Sequence, residues 1–157
     1  MPHNHHYSLR PITEDDLPFL RQVYASTRKM ELDLTDWGDE QKTQFITMQF
    51  EAQHQHYQQH YSDAEFYVIE VDGNDIGRLY RLDQRHDIRI VDIAILPEYR
   101  GVGVGSRILN DIIAEGESQG IPVSIHVELN NPAMSLYRRL GFEPVSNEGV
   151  YMLMERR

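Results

Sequence analysis

The segment LPEYRGVGVGSRIL, residues 96–109, constrains this chain more than any other stretch. It joins a nearly continuous apolar run, DIRIVDIAIL at residues 87–96, to a helical repeat of Val104, Ile108, Leu109, Ile112 and Ile113 that runs to about Gln119 and closes at Gly120. The run reads as a central strand, because residues pointing to both of its faces are apolar. Pro97 stops it, and the alternating Gly101, Gly103 and Gly105 lead into the helix. Glycines expose backbone amides without Cβ obstruction, and a helix start attracts anions. Phosphate binding is the natural use of such a loop, although a ligand-free strand-to-helix turn would employ the same glycines.

Two familiar phosphate loops fail on spacing. A P-loop needs Lys followed by Ser or Thr after its last glycine, whereas Gly105 precedes Ser106 and Arg107. A dinucleotide fingerprint starting at Gly101 or Gly103 needs a third glycine at 106 or 108, where Ser106 and Ile108 stand.

The rest of the chain supplies a sheet around that unit. Residues 7–12 read as an opening strand. Thr13 and Asp16 form a capping-box pair ahead of a helix over 13–28 with Leu17, Leu20 and Tyr24 on one face. Residues 29–38 read as a loop or broken helix, and 39–61 as a longer helix with Ile46, Phe50, Gln53 and Tyr57 aligned. Strands over 65–71 and 76–82 flank the turn residues Asp72, Gly73 and Asn74. A strand over 121–129 follows the glycine-loop helix, and Asn131 with Pro132 reads as an N-cap and N1 pair for a short helix ending at Gly141. The tail forms a final hairpin. The order β-α-α-β-β-β-α-β-α-β-β is a mixed α/β sheet in one domain, residues 1–157.

Composition narrows the function classes. The net charge of -10 argues against general nucleic-acid binding, while leaving room for one anionic ligand held by local amides. No apolar run approaches the ~20 residues of a membrane span. The absence of cysteine removes thiolate metal sites and cysteine nucleophiles, and the opening MPHNHHYS lacks a signal-like apolar core. A cytoplasmic location is the expectation. His56 and His60 are spaced to share a metal on a helix, but no third ligand converges at a recognisable spacing, so no metal is expected.

Arg100-Gly101-Val102-Gly103-Val104-Gly105 resembles the acyl-CoA motif of the GNAT N-acetyltransferase superfamily, Arg/Gln-x-x-Gly-x-Gly/Ala, in its strand-turn-helix setting. Residues 130–142, NNPAMSLYRRLGF, resemble a second signature of that superfamily, Asn-x-x-Ala-x-x-Leu-Tyr-x-x-x-Gly-Phe. The resemblance implies a mostly antiparallel sheet flanked by helices, whose fourth and fifth strands splay apart to admit the pantetheine arm of acetyl-CoA. It implies that the amides of Ile93, Ala94 and Ile95 contact that arm and the acyl carbonyl. The loop of Arg100, Gly101, Val102, Gly103, Val104, Gly105 and Ser106 would then hold the pyrophosphate. Tyr137 matches the tyrosine that protonates the departing thiolate, though it also lies on the apolar face of Ala133, Leu136 and Leu140. Asn130 has the motif spacing counted from Tyr137, and Asn131 the better spacing from the strand; either is the pantetheine contact.

The catalytic base is open. The superfamily's glutamate position falls on His126 or Ile125, and Glu128 is out of register. Asp92, an acid in an apolar strand, is a base candidate or a paired structural carboxylate. Simple alternation puts Asp92 with Ile88, Ile90 and Ala94 on one face, and Arg89, Val91, Ile93 and Ile95 on the other, unless a bulge intervenes. Acceptor contacts are expected between the first two helices, where Glu31 and Trp37 suit an amine. The implied activity is direct acetyl transfer from acetyl-CoA to an amine of a small molecule or peptide; the oligomeric state stays open, a homodimer being an assembly that many members of the superfamily form. A CoA-binding module without turnover is the rival.

Overall fold

The computed structural model describes residues 6–101, 103–129 and 131–157. Seven strands form one sheet: β1 (Tyr7–Pro11), β2 (Glu65–Val71), β3 (Asn74–Asp83), β4 (Ile88–Ile95), β5 (Val123–Glu128), β6 (Glu143–Glu148) and β7 (Tyr151–Arg156), in spatial order β1-β2-β3-β4-β5-β7-β6. Every neighbouring pair is antiparallel except β4 with β5, which is parallel because the helix α3 (Val104–Gln119) crosses between them. Two helices, α1 (Leu17–Asp33) and α2 (Asp39–His60), precede β2, and α4 (Met134–Arg139) follows β5.

The apolar pattern sorts the helices onto two faces. Ile108, Leu109 and Ile112 of α3 and Tyr137 of α4 join one core with Ile88, Ile90, Ile125 and Val127. On the opposite face Leu20, Tyr24 and Leu32 of α1 meet Ile46 and Phe50 of α2 over Val68. Among the described residues, no helix is long and apolar enough to cross a membrane.

Three local expectations are corrected. The first helix runs on to Asp33 rather than ending near residue 28, because Leu32 buries against α2 and Lys29 pairs with Asp33 one turn on at 2.9 Å. Thr13 keeps its role, its N–H donating to Asp16 Oδ2 at 2.8 Å, but the first turn it caps is 3₁₀. Pro132 is not the first residue of α4. Asn131 Oδ1 does accept from the Ala133 N–H at 2.8 Å as a cap would, but the turn it closes lies ahead of the regular helix, which begins at Met134.

A further correction concerns β4. Tyr80 pairs with Asp92 but Arg81 pairs with Ile90, so Val91 is an extra residue in β4. The bulge resets the alternation: Ile93 and Ile95 rejoin Ile88 and Ile90 at the α3 core, and Asp92 turns toward α2.

Candidate active site

The sheet is closed at one end of the β4 and β5 pair and open at the other. Pairing stops after Ile88 with Val123, Arg89 with Ser124 and Ile90 with Ile125. β4 then continues along β3 to Ile95, and β5 along β7 to Glu128, so the two strands part while each stays anchored on its outer side.

The bulge at Val91 aims the backbone at that opening. Ile88 donates its N–H toward β5, to the Pro122 carbonyl at 3.0 Å, whereas Leu96 donates toward β3, to the Ile76 carbonyl at 2.8 Å. Even-numbered residues thus face opposite neighbours before and after the bulge. By the alternation of an antiparallel ladder, Ile93 and Ile95 present N–H and C=O groups to the opening, and Ala94 turns its own toward β3. A Cβ on Gly77 would run into the Ala94 carbonyl, which fits that direction. The Ala94 backbone is therefore not an opening-facing contact, although its side chain lines the cleft. Arg100 Nε donates to the Ile95 carbonyl at 2.8 Å, tying the loop to the end of β4.

In the loop, Gly101 and Gly103 take φ of 81° and 86°, which side chains with a Cβ rarely adopt. The first bond of α3 runs from the Arg107 N–H to the Gly103 carbonyl at 3.0 Å. The amides of Val104, Gly105 and Ser106 therefore precede the intrahelical ladder, at the positive end of the α3 dipole. Val102 and Asn130 lie outside the described residues.

Side chains complete the opening as a cavity of about 400 Å³. Val91, Asp92, Ile93 and Ala94 line it from β4, Ile125, His126 and Glu128 from β5, and Asn131 and Tyr137 from the following segment. Tyr137 is buried, its ring 6.1 Å from Phe142, and burial, with the Asp92 charge acting the same way, pushes its hydroxyl up to about 12. The phenol stays protonated at neutral pH, as a proton donor must.

The wall toward α1 and α2 carries charges in pairs. Arg78, 2% exposed, lies between the Tyr24 and Tyr80 rings and bonds Asp92 through Nη2 at 2.8 Å and Nε at 3.3 Å. The Tyr57 hydroxyl donates to Asp92 Oδ2 at 2.9 Å, burial holding that phenol well above its ordinary range. Asp92 is thus a paired carboxylate that also borders the cleft. Arg28 clasps Glu128 with Nη2 to Oε1 at 2.8 Å and Nη1 to Oε2 at 3.2 Å. His126 Nε2 meets Glu148 Oε1 of β6 at 3.0 Å.

Glu31 and Trp37 do not border this cavity. Glu31 is exposed and pairs with Arg28 at 3.0 Å, and Trp37 packs edge-on against Phe45 at 5.3 Å. Sequence reasoning missed Arg78, Tyr57, Arg28, Glu148 and Tyr151 as cleft residues. Arg78 did carry a signal, as a cation amid the apolar residues of the strand over 76–82. Tyr57 and Tyr151 read as apolar-face residues, and Arg28 and Glu148 sit in ordinary polar contexts.

Comparisons with known proteins agree with this layout. A family model described as an acetyltransferase (GNAT) domain matches residues 62–144. A Bacillus subtilis protein, described as a candidate ribosomal protein bS18-alanine N-acetyltransferase, is 32% identical over 84 residues, covering 52% of this chain and 55% of that protein. The chain thus spans little more than half the length of that relative. Spermidine N(1)-acetyltransferase of Escherichia coli K12 is 27% identical over 148 residues, covering 90% of this chain and 75% of that protein. Among solved structures, the PaiA N-acetyltransferase of Thermoplasma acidophilum in complex with coenzyme A superposes with a TM-score of 0.70 at 19% identity. That match covers 97% of this chain and 99% of that one, and it bears on the fold.

Proposed function

The chain belongs to the GNAT acetyltransferase family, and from that premise we propose that it transfers the acetyl group of acetyl-CoA to a primary amine by direct attack. The observation that carries this reading is the parting of β4 and β5 beside a glycine loop and a buried tyrosine. An extended, amide-bearing arm entering the opening would meet the outward N–H and C=O groups of Ile93 and Ile95 as a strand would. The pyrophosphate would sit on the amides of Gly101, Gly103, Val104, Gly105 and Ser106, with Arg100 at the rim. Asn131 would add a contact to the arm.

In the reaction, the neutral amine nitrogen attacks the thioester carbonyl. Backbone N–H groups of β4 stabilise the charge that builds on the carbonyl oxygen. The C–N bond forms as the C–S bond breaks, and Tyr137 gives its proton to the leaving sulfur. The acceptor enters from the α1 and α2 side, where Glu128, Glu148 and the rings of Tyr24, Tyr57 and Tyr151 favour a cationic amine. The relatives that act on an alanine and on spermidine support a primary amine as acceptor.

The engagement of Asp92 by Arg78 and Tyr57 supports one rival, a CoA-binding module without turnover. Thiol release from acetyl-CoA with spermidine, free amino acids, an aminoglycoside and peptides bearing a free amino terminus separates the two. Transfer to at least one amine is expected. Tight CoA binding with no thiol release in any arm would favour the module.

A further inference from the structure

Three carboxylates border the acceptor side of the cleft, and their partners differ in kind. Asp92 is held by Arg78 and Glu128 by Arg28. A guanidinium does not deprotonate in a protein, so a proton arriving on either carboxylate must break an ion pair. Glu148 is paired instead with an imidazole, that of His126.

The strand pattern explains why the two meet. Ile125 and Val127 point into the α3 core, so His126 between them points to the acceptor face. His126 is also the first residue of β5 beyond the last residue paired with β4. Across β7, His126 faces Leu153, and Tyr151 faces both Glu128 and Glu148. Glu148 therefore shares that face two strands away and reaches back over β7 to the imidazole. The Tyr151 ring lies 6.5 Å from that of His126.

We propose that His126 accepts the proton of the acceptor ammonium and that Glu148 is its positioning residue. The inference rests on the acetyl-transfer reading above. A carboxylate accepts hydrogen bonds, so the neutral imidazole carries its proton on Nε2 toward Glu148, and Nδ1 remains as the proton acceptor. The ammonium gives one proton to Nδ1, and the resulting imidazolium is stabilised by Glu148. The neutral amine then attacks. Its second proton replaces the one Tyr137 gives to sulfur, and His126 releases the first to solvent past the half-exposed Glu148. The products are the amide, the free thiol and one proton.

The test measures kcat and KM at neutral pH for the wild type, His126→Gln, Glu148→Gln, Glu148→Asp and the double Gln variant. The acceptors are the panel amine with fastest turnover and methoxyamine, which is neutral under these conditions. For the basic amine, kcat falls about a hundredfold in His126→Gln and about tenfold in Glu148→Gln. The double variant is no worse than His126→Gln alone, and Glu148→Asp recovers part of the loss. With methoxyamine the His126→Gln penalty shrinks to within a few-fold, and acetyl-CoA affinity by calorimetry is unchanged throughout. Wild-type turnover in His126→Gln, equal penalties for both amines, or additive losses in the double variant overturn the pair. Absence of wild-type turnover with every amine overturns the acetyl-transfer reading, and the pair with it.

Discussion

The two ends of the β4 and β5 pair share the same strands and differ in what the backbone does. At the closed end, Ile88 to Ile90 complete their hydrogen bonds within the sheet and bury Ile88 and Ile90 in the α3 core. At the open end, residues 91–95 pair with β3 alone, the bulge at Val91 turns Ile93 and Ile95 outward, and among the described residues only Arg100 reaches the Ile95 carbonyl from the loop. One end is built for stability and the other for a ligand that behaves like a strand. The contrast shows that where pairing with β5 stops, one extra residue sets which backbone groups the strand turns toward the gap.

Mutations at the two ends should therefore separate stability from ligand binding. Ile90→Ala, at a fully buried position of the closed end, should cost about 3 kcal/mol of unfolding free energy by denaturant titration, with acetyl-CoA affinity of the folded protein unchanged. An equal loss of affinity would merge the two ends into one unit. Tyr137→Phe, at the open end, should lower kcat about a hundredfold with little change in acetyl-CoA affinity. Turnover at the wild-type rate would remove Tyr137 as the acid.

The same substitution sharpens the contrast at alkaline pH. Burial raises the Tyr137 hydroxyl from 10.0 to about 12 in the folded protein. Above the unfolded value the unfolded chain ionises first, so this stability is fully present below pH 10.0 and is lost as pH rises toward about 12. Tyr137→Phe should remove about 2 kcal/mol of that alkaline decline, read from denaturation series at stepped pH. Smallest is the loop: Gly103→Val forces a β-branched residue toward φ of 86° and should weaken CoA binding about tenfold by calorimetry. Unchanged affinity would separate the loop from the ligand.

How much of this was legible follows from sequence distance. The glycine loop and the helix after it were readable because the signal is local: a proline stop, three glycines and an apolar period within residues 96–113. The face of Asp92 was not, because a bulge at Val91 leaves no mark in composition and reverses the alternation after it. Asn131 and Pro132 offered a good cap and first-turn pair, and Asn131 does accept from Ala133, but the regular helix begins only at Met134. The acceptor wall was least legible. Arg28 and Glu128 are 100 residues apart and His126 and Glu148 are 22 apart, so their pairing depends on strand order rather than on any motif. Glu31 and Trp37 illustrate the converse, having suitable chemistry in the expected segment without lining the cavity.

Amide hydrogen exchange with and without CoA tests the central claim most directly, because it reports on both ends of β4 in one experiment. CoA should slow exchange at Ile93 and Ile95 and at Val104, Gly105 and Ser106, while Ile88 and Ile90 keep their ligand-free rates. Binding that leaves the open end unprotected, or no association at millimolar CoA with folded protein, would contradict the account.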